Sequence, residues 1–527
     1  MSRTAIHSLI YFVLLAMMVI AIPTSNFLMS MAQVLLAVNW LIEGQWHNKI
    51  SLAKRQPLLW AFVVLFVVHL VWCLMSTNMD YALDDIRKKL PLLAVPLVVL
   101  TSSPLPHKRL NILMVVYVAT MLFVSAYSWV NHILNPDINY RSLFPFISHI
   151  RLALNACLVI FLLLCVGNKV LNSNMFSPLK QKIYLSVVIF LTGWFVAYLY
   201  LLQSYTGFII LLTTVAVVGF VYIKRHCVAG RLVLYFVMMT AMVIAVVGMI
   251  AYYTNSYYKL KTLSTEPLKS HTINGNDYTH GIDGFVEHGN YLNNYICYAE
   301  LEREWGHLSA KPLSYITPNG YSIKPTLIRY LNSKGLTKDS VGISQLTDYD
   351  VQAIEQGKAT IYEADDKVLS QMMYRLLFEY ENYRVYHRVK NSSLLQRFEL
   401  WQNSCEIIAR NSILGVGTGD VADEIRQNLK HNNSELKDTD MRTHSQYLTF
   451  ILTFGLLGTM IIMFFFVYAI KKQNLMKSLL FVAYLCIVLI SFVSEDTLET
   501  AAGCLFSTFF FCVFVSQNEK NDSVLKG

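Results

Sequence analysis

Charged residues are scarce in this sequence of 527 residues: only 15% are Asp, Glu, Lys or Arg, whereas 55% are apolar. Soluble globular proteins carry about 25% charged residues, so an ordinary soluble enzyme is excluded, and the same figures exclude a disordered chain. The apolar residues cluster into runs that can cross a bilayer as helices, which takes about 20 residues. The composition therefore predicts a polytopic membrane protein.

Cysteine is also scarce, and its spacing does not match a metal site. Six of the nine cysteines fall in apolar runs, where small core residues are expected, and no CxxC or Cys/His zinc pattern occurs. Only Cys297 and Cys405 lie in a polar stretch, where a disulfide between them stays open if the compartment is oxidising. The sequence predicts no metal site and no cofactor.

The net charge of +9 is explained without nucleic acid. The long polar stretch 256–445 holds 21 basic and 24 acidic residues, while the other 337 residues hold 22 basic and 10 acidic ones. That basic excess lies in short loops between apolar segments, as the positive-inside rule requires. We therefore expect membrane lipids, and no nucleic acid, as surroundings of the chain.

Twelve apolar segments are predicted to span the membrane as helices. They are 6–22, 26–42, 58–75, 90–103, 111–131, 149–166, 184–202, 206–223, 232–252, 446–470, 478–493 and 498–516. Basic residues such as Lys54, Arg55, Lys108, Arg109, Lys471 and Lys472 occupy alternate loops, which predicts cytoplasmic termini and an outer location for 256–445. Arg87, Lys88, Lys89 and Arg141 are the basic residues that depart from this pattern.

These segments define three regions of the chain. Residues 1–255 form a first membrane region, residues 256–445 a mainly helical outer domain, and residues 446–527 a second membrane region with a short tail. Within the outer domain, residues 362–390 read as a helix. A second helix to about Arg410 opens on a capping-box pattern of Ser393 and Gln396, and a third covers 420–430.

Several polar residues near the predicted membrane surface are candidates for a functional site. Arg397 lies one turn into the capped helix, beside an apolar stripe of Leu394, Phe398, Trp401 and Cys405; pairing with Glu399 or a headgroup contact is the plainer alternative. Arg151 begins the sixth span, where a charge is costly unless it has a partner or a function, and an arginine that reaches to the outer surface is the alternative. His444 precedes the tenth span, where the helix dipole favours the neutral imidazole that a general base requires, and an interface residue held by a hydrogen bond is the plainer alternative.

Further candidates could support such a site. Gly415, Gly417 and Gly419 precede a predicted helix and could present N–H groups to an anion, although a tight connection explains them equally well. Asp84, Asp85 and Arg87 precede the fourth span, and Glu495, Asp496 and Glu499 precede the twelfth. These charges could line a cleft or cap helices.

Four motifs together resemble the O-antigen ligase family of membrane glycosyltransferases, which is related to O-antigen polymerases and protein O-oligosaccharyltransferases. They are Arg-Phe-Glu-Leu-Trp at 397–401, Gly-Val-Gly-Thr-Gly at 415–419, His-Ser-Gln-Tyr-Leu at 444–448 and Phe-Gly-Leu-Leu-Gly at 454–458. The late, large outer loop is similar too, and the sequences at 326–331 and 345–355 resemble a Bacteroidetes-type variant of that loop.

The resemblance implies an all-α, GT-C-like fold and a metal-independent transfer in the bacterial inner membrane. The donor would be an undecaprenyl-diphosphate-linked glycan and the acceptor a hydroxyl of lipid A-core on the periplasmic side. Arg397 and Arg151 match the arginines that hold the diphosphate, and His444 matches the base. Supporting residues would be Gly415, Gly417, Gly419, Arg442, Arg87 and Glu495.

The sequence departs from the family pattern at two places. The family often has Ser-Arg where this chain has Ser204-Tyr205, and its His motif usually continues with Asn where this chain has Ser445. A repeat-unit polymerase or a protein O-oligosaccharyltransferase remains an alternative, because each differs mainly in its acceptor. A secondary transporter, the alternative of a different class, would predict two similar halves, whereas this chain has one large outer domain.

Overall fold

The computed structural model describes residues 3–135, 140–171, 177–226, 229–281, 283–365, 367–390 and 392–524. Helices dominate these residues, and the regular sheet described in them is one two-stranded hairpin. The all-α membrane fold predicted from the sequence is confirmed. The chain divides into two compact units, Met1–Leu232 with Arg397–Gly527, and Val233–Gln396.

The first unit begins with ten helices and closes with five more, the first of which starts just before the boundary. The opening ten are α1 Arg3–Ala21, α2 Asn26–Glu43, α3 Trp46–Arg55, α4 Pro57–Cys73, α5 Met79–Lys89, α6 Pro91–Thr101, α7 His107–Leu134, α8 His149–Leu171, α9 Pro178–Leu201 and α10 Tyr205–His226. The closing five are α19 Ser393–Arg410, α20 Val421–His431, α21 Gln446–Lys472, α22 Leu479–Ser494 and α23 Ala501–Val524. Short 3-10 helices cover Tyr140–Ser142, Leu475–Lys477 and Thr497–Glu499.

The second unit holds the remaining helices and the hairpin. Its helices are α11 Ala229–Tyr258, which starts at the boundary, α12 Thr262–Thr265, α13 Tyr298–Leu308, α14 Ile323–Lys334, α15 Ser340–Ile343, α16 Asp348–Glu355, α17 Ile361–Ala364 and α18 Val368–Tyr386. Strands β1 Val286–Glu287 and β2 Asn290–Tyr291 pair antiparallel. Its core contains Trp305, Leu327, Tyr330 and Ile354, all nearly inaccessible to solvent.

Each of the twelve predicted spans falls on a helix, but not every helix is long enough to cross a membrane alone. Among the described residues, eight helices meet the length and composition of a span: α1, α2, α7, α8, α9, α10, α11 and α21. A ninth arises if α3 and α4, bent by 87°, count as one span. Helix α6 has 11 residues and an internal proline, α22 has 16, and only Ala501–Ser516 of α23 is apolar.

The polar helices lie close to where the sequence places them, with differences at their ends. Helix α18 is shorter than the predicted 362–390, while α20 matches its predicted range closely. The cap of α19 is Ser392, one residue before the predicted Ser393, because Ser392 Oγ accepts the N–H of Leu395 at 3.2 Å. Cys297 is buried and Cys405 exposed, and both are free thiols.

Candidate functional site

Residues 494–500, which join α22 to α23, form the segment on which the candidate site is built. The segment contains one 3-10 turn and three acidic residues, Glu495, Asp496 and Glu499, each more than nine-tenths buried. A buried carboxylate is costly unless it is paired and hydrogen-bonded. Each of the three therefore needs cationic or hydrogen-bonding partners from elsewhere in the chain.

Arg397, in the first half of α19, binds the start of this segment. Its Nε donates to the carbonyl of Ser494 at 3.0 Å, and its Nη2 lies 2.6 Å from Glu495 Oε1. The described partner of Arg397 is Glu495 and not Glu399, the partner considered from sequence; Glu399 accepts a hydrogen bond from Ser434. Arg397 is thus turned towards the joint between two membrane helices.

Arg151, in the first turn of α8, binds the other end of the segment. Its Nη2 donates to the Thr500 hydroxyl at 3.0 Å and lies 3.3 Å from the Thr497 carbonyl. Its Nη1 is buried and has no hydrogen-bond partner among the described residues. The two arginines predicted to act together therefore attach to one short segment, and Arg151 has a donor to spare.

His444 lies immediately before Ser445, the N-cap residue of α21, in a left-handed backbone conformation with φ of 51°. Asp496 holds it there: the N–H of His444 donates to Asp496 Oδ2 at 2.7 Å. The hydroxyls of Thr443 and Thr449 donate to Asp496 Oδ1 at 2.9 and 2.8 Å. The imidazole of His444 is half-buried, and no hydrogen bond to it is described within these parts of the chain.

Glu499 is the centre of a buried ionic cluster on the same segment. Its Oε2 lies 2.7 Å from Arg442 Nη1 and 3.0 Å from Lys89 Nζ, and Lys89 also pairs with Asp85 at 2.6 Å. Gln446 donates to Glu499 Oε1 at 3.0 Å. Burial alone would lower the pKa of Lys89, but Glu499 and Asp85 outweigh it and raise that pKa above its ordinary value. Both carboxylates therefore favour the charged form of this buried lysine.

A small polar pocket opens beside this cluster. It is lined by Tyr81, Asp85 and Lys89 of α5, by Arg442 and Glu499, and by Thr449 of α21. The guanidinium of Arg442 lies over the Tyr81 ring, 5.7 Å from its centroid. Thr449 lines the pocket and also donates to Asp496, so the pocket and the His444 turn share a wall.

The glycine-rich loop 415–419 is a tight connection, because its N–H groups are engaged within the chain. The N–H of Val416 donates to the Leu452 carbonyl at 2.9 Å and that of Gly417 to the Thr453 carbonyl at 3.0 Å. Those of Gly415 and Gly419 donate to the Asn411 carbonyl and to Ser76 Oγ. The alternative of an anion-binding loop would need these donors to be open.

The loop is packed against a break in α21 at Gly455, whose φ of 62° is non-helical. The N–H groups of Leu456 and Leu457, freed by the break, donate to the carbonyls of Ser412 and Ile413. Non-helical backbone at membrane depth requires such partners from protein. A Cβ on Gly455 would lie 2.2 Å from the Ile413 carbonyl oxygen, so only glycine fits.

Two features flagged in the sequence lie apart from this cluster. Arg87 is exposed and pairs with Asp84 of its own helix at 2.9 Å, and no contact of Arg87 with segment 494–500 is described. In the stripe that Arg397 was expected to border, Leu394 and Phe398 are exposed. The buried residues of α19 are instead Leu400, Asn403, Ser404 and Ile407.

Lys89 is a residue of the candidate site that sequence reasoning missed, because the loop-charge pattern marks it only as an exception. A signal was present: Lys89 follows Asp85 by four residues, the spacing that brings side chains together on a helix. It also directly precedes an apolar helix, where an unpartnered cation would be costly.

The cluster does not offer a ready metal site. Within the described ranges, no three His, Cys, Asp or Glu side chains come together in a way that could hold a metal ion. The acidic side chains of the segment are occupied by cationic and hydroxyl donors, as described above. The side chains of this cluster interact with one another through charge and hydrogen bonds.

Comparison with known proteins places the central region of the chain in one family. Residues 351–463 match the family model described as O-antigen ligase. The match includes Arg397, the glycine-rich loop, His444 and the break at Gly455, and it ends before segment 494–500. No curated protein matches the chain. The match supports a glycosyltransferase role of the ligase or polymerase type. The chain thus contains a domain of the O-antigen ligase family, which confirms the resemblance seen in its motifs.

Proposed function

We propose that this protein transfers a glycan from an undecaprenyl-diphosphate-linked donor to a hydroxyl of lipid A-core, as an O-antigen ligase. The observation that carries the proposal is the convergence of Arg397, Arg151 and His444 on segment 494–500. These residues come from α8, from α19 and from the turn before α21. Their meeting at one joint is what a single reaction centre requires.

The two arginines suit a diphosphate leaving group. Arginine keeps its charge and offers paired donors that match phosphate oxygens. The spare Nη1 of Arg151 supplies one donor without rearrangement. Arg397 supplies more by exchanging Glu495 for phosphate, since that carboxylate occupies the position an anionic ligand would take.

His444 acts as the general base in this proposal. Its imidazole takes the proton of the acceptor hydroxyl as that oxygen forms a bond to the anomeric carbon of the donor glycan. The bond from that carbon to the diphosphate breaks, and the electron pair leaves with the lipid diphosphate, held by the arginines. Asp496 orients the turn through the backbone of His444 and through Thr443. No metal takes part in these steps.

The pattern of loop charges supports a periplasmic location of this centre in the inner membrane, with both termini in the cytoplasm. In the first unit, the starts of α8 and α21 meet the end of α22 at segment 494–500. At the other end of α22, its start contacts the end of α10: Arg225 Nη1 donates to the carbonyl of Lys477 at 2.7 Å, and both residues are basic. These contacts support the assignment of opposite faces to the site and to the basic loops.

The experiment is a transfer assay with purified protein, lipid-diphosphate-linked glycan and lipid A-core. A positioned base contributes about 10²–10⁴-fold, so His444→Ala should lose that much activity while it still binds the donor. His271→Ala, an exposed histidine paired with Asp277, is the control and should match the wild type. Activity should persist in a chelator. Full activity of His444→Ala, or its loss from the wild type in chelator, would contradict the mechanism.

A deletion strain separates the ligase from its relatives by acceptor. Loss of all long glycan from lipid A-core, with lipid-linked glycan accumulating, is the expected result. A surviving band with a single repeat would instead identify a polymerase. An unchanged lipopolysaccharide ladder with unglycosylated protein would identify a protein O-oligosaccharyltransferase.

A further inference from the structure

Residues 442–446 form the turn that contains His444. One carboxylate, that of Glu499, binds a residue on each side of the histidine. Before the histidine, Arg442 Nη1 lies 2.7 Å from Glu499 Oε2 and 3.3 Å from the Glu499 carbonyl. After it, Gln446 Nε2 donates to Glu499 Oε1 at 3.0 Å. His444, at the apex, is bound by its N–H to Asp496. A left-handed, non-glycine residue costs free energy and persists only where its surroundings enforce it.

Two further contacts hold Glu499 and the segment that carries it. Lys89 Nζ, from α5, lies 3.0 Å from Glu499 Oε2 and is anchored by Asp85. Gln446 Oε1 accepts the N–H of Leu498 at 2.7 Å, so glutamine and segment hold one another reciprocally. The side chains of Lys89 and Glu499 are 3% and 6% exposed, which leaves water little role in these contacts.

Stability alone is a poor explanation for such a cluster. A buried ion pair often contributes no more than well-packed apolar side chains of the same volume, because both charges lose their hydration. Apolar side chains cannot make directional contacts. Here three donors bind one carboxylate, and these hydrogen bonds fix the residues that flank His444. The arginines proposed to hold the donor use other atoms of the segment, namely those of Ser494, Glu495, Thr497 and Thr500.

We propose that Glu499, held by Lys89, is a positioning residue that sets the place of the His444 imidazole for the acceptor hydroxyl. This inference rests on the proposed function, in which His444 is the base. It predicts that a change at Glu499 lowers turnover through His444 and leaves donor binding nearly intact. A residue needed only for folding would not show that dependence.

The test is a double-mutant cycle of Glu499→Gln and His444→Ala in the purified transfer assay. Contacting residues that act together are strongly non-additive. We expect Glu499→Gln to lower kcat about tenfold or more, with the donor KM within about twofold, since a base contributes about 10²–10⁴-fold when it is well placed. In the His444→Ala background the same change should alter the residual rate by less than about twofold.

Two further variants keep the test decisive. Gln446→Met removes the hydrogen bond from residue 446 to Glu499 without changing the charge of the cluster. If Glu499→Gln does not fold, Gln446→Met should show the same lower kcat and the same dependence on His444. Glu304→Gln, at a half-buried glutamate of the second unit paired with Arg303, should behave as wild type in either background.

The outcomes separate this inference from the proposed function. A His444→Ala variant as active as the wild type overturns the proposed function. If His444→Ala is inactive but Glu499→Gln equals the wild type, the positioning role is wrong and the base assignment stands. Equal losses from Glu499→Gln in both backgrounds also reject the positioning role, since the residue would then act independently of His444.

Discussion

Each unit of the molecule contains a lysine buried almost completely, and the surroundings of the two lysines shift their pKa in opposite directions. Lys89, in the first unit, lies within 3.0 Å of two carboxylates, which keep it charged. Lys338, in the second unit, donates to the carbonyl of Asn294 at 3.1 Å and to Asn332 Oδ1 at 2.7 Å. Burial lowers the pKa of Lys338 to about 7.

The difference lies in the partners of each lysine: carboxylates for Lys89, a carbonyl and an amide oxygen for Lys338. The cluster of Lys89 and Glu499 carries the full desolvation cost of buried ions and adjoins the candidate site. Lys338 has neutral hydrogen-bond partners among the described residues, and burial lowers its pKa. Lys89 thus lies where the proposed chemistry needs fixed direction, and three substitutions compare the two lysines with a region held by backbone contacts.

Lys89→Met should have the largest effect on stability. It leaves Asp85 without its partner and Glu499 with one cation fewer, and breaking a buried pair on one side costs about 3–5 kcal/mol. We expect a markedly lower Tm in detergent, measured by thermal unfolding. Lys88→Met is the control, because Lys88 forms an exposed pair with Asp84. Equal Tm values for the two variants would remove the contrast between the buried lysines.

Gly455→Ala tests a region of the first unit that is held by backbone contacts and not by charge. A Cβ there meets the Ile413 carbonyl in a left-handed conformation, so we expect a loss of at least about 2 kcal/mol in stability. Gly193→Ala, in α9, has open space around its Cβ and should be neutral or slightly stabilising. Comparable Tm values for both alanine variants would show that the break in α21 is not fixed.

Lys338→Met should have the smallest effect near neutral pH, within about 1 kcal/mol, because relief of desolvation and loss of two hydrogen bonds oppose one another. The pH dependence is the clearer signal. The unfolded chain binds the lysine proton more tightly than the folded one, so wild-type stability should fall as the pH drops from about 10 to about 7. The variant should lack that component of the slope between these pH values. Parallel slopes for wild type and variant would mean that Lys338 stays charged when buried.

Much of the fold could be predicted because apolar runs and loop charges are local signals. All twelve predicted segments are helical, and α20 and α21 begin within a residue or two of their expected starts. Span lengths were harder to predict, since α6 and α22 are apolar throughout but short. An apolar run shows that a helix is buried or lipid-facing without showing that it reaches across.

Residues of the candidate site could be singled out from the sequence, but the contacts between them could not. Arg397, Arg151 and His444 stood out by type and by position beside apolar segments. That all three would meet at segment 494–500 depends on contacts across 52 to about 350 residues, which no local pattern reveals. The same limit hid Lys89, whose partner Glu499 lies 410 residues away.

The glycine-rich loop shows a different limit. Three alternating glycines before a helix suit either an anion or a close backbone approach, and sequence does not separate the two. The partner of the loop is the broken region of α21, and a break at Gly455 inside an apolar helix leaves little trace in sequence. The structure favours close approach at this loop because its N–H groups are already engaged.

The most direct test of the account is whether Arg397 and Arg151 bind the same diphosphate. Binding of a lipid-diphosphate donor would be measured in Arg397→Lys, Arg151→Lys and, as a control, the exposed Arg303→Lys. Lysine keeps the charge but lacks the forked donors of arginine. The account predicts that both site variants bind the donor at least about tenfold more weakly, which corresponds to about 1.4 kcal/mol, and that the control is unchanged. Wild-type donor affinity in both site variants would contradict a shared diphosphate site on segment 494–500.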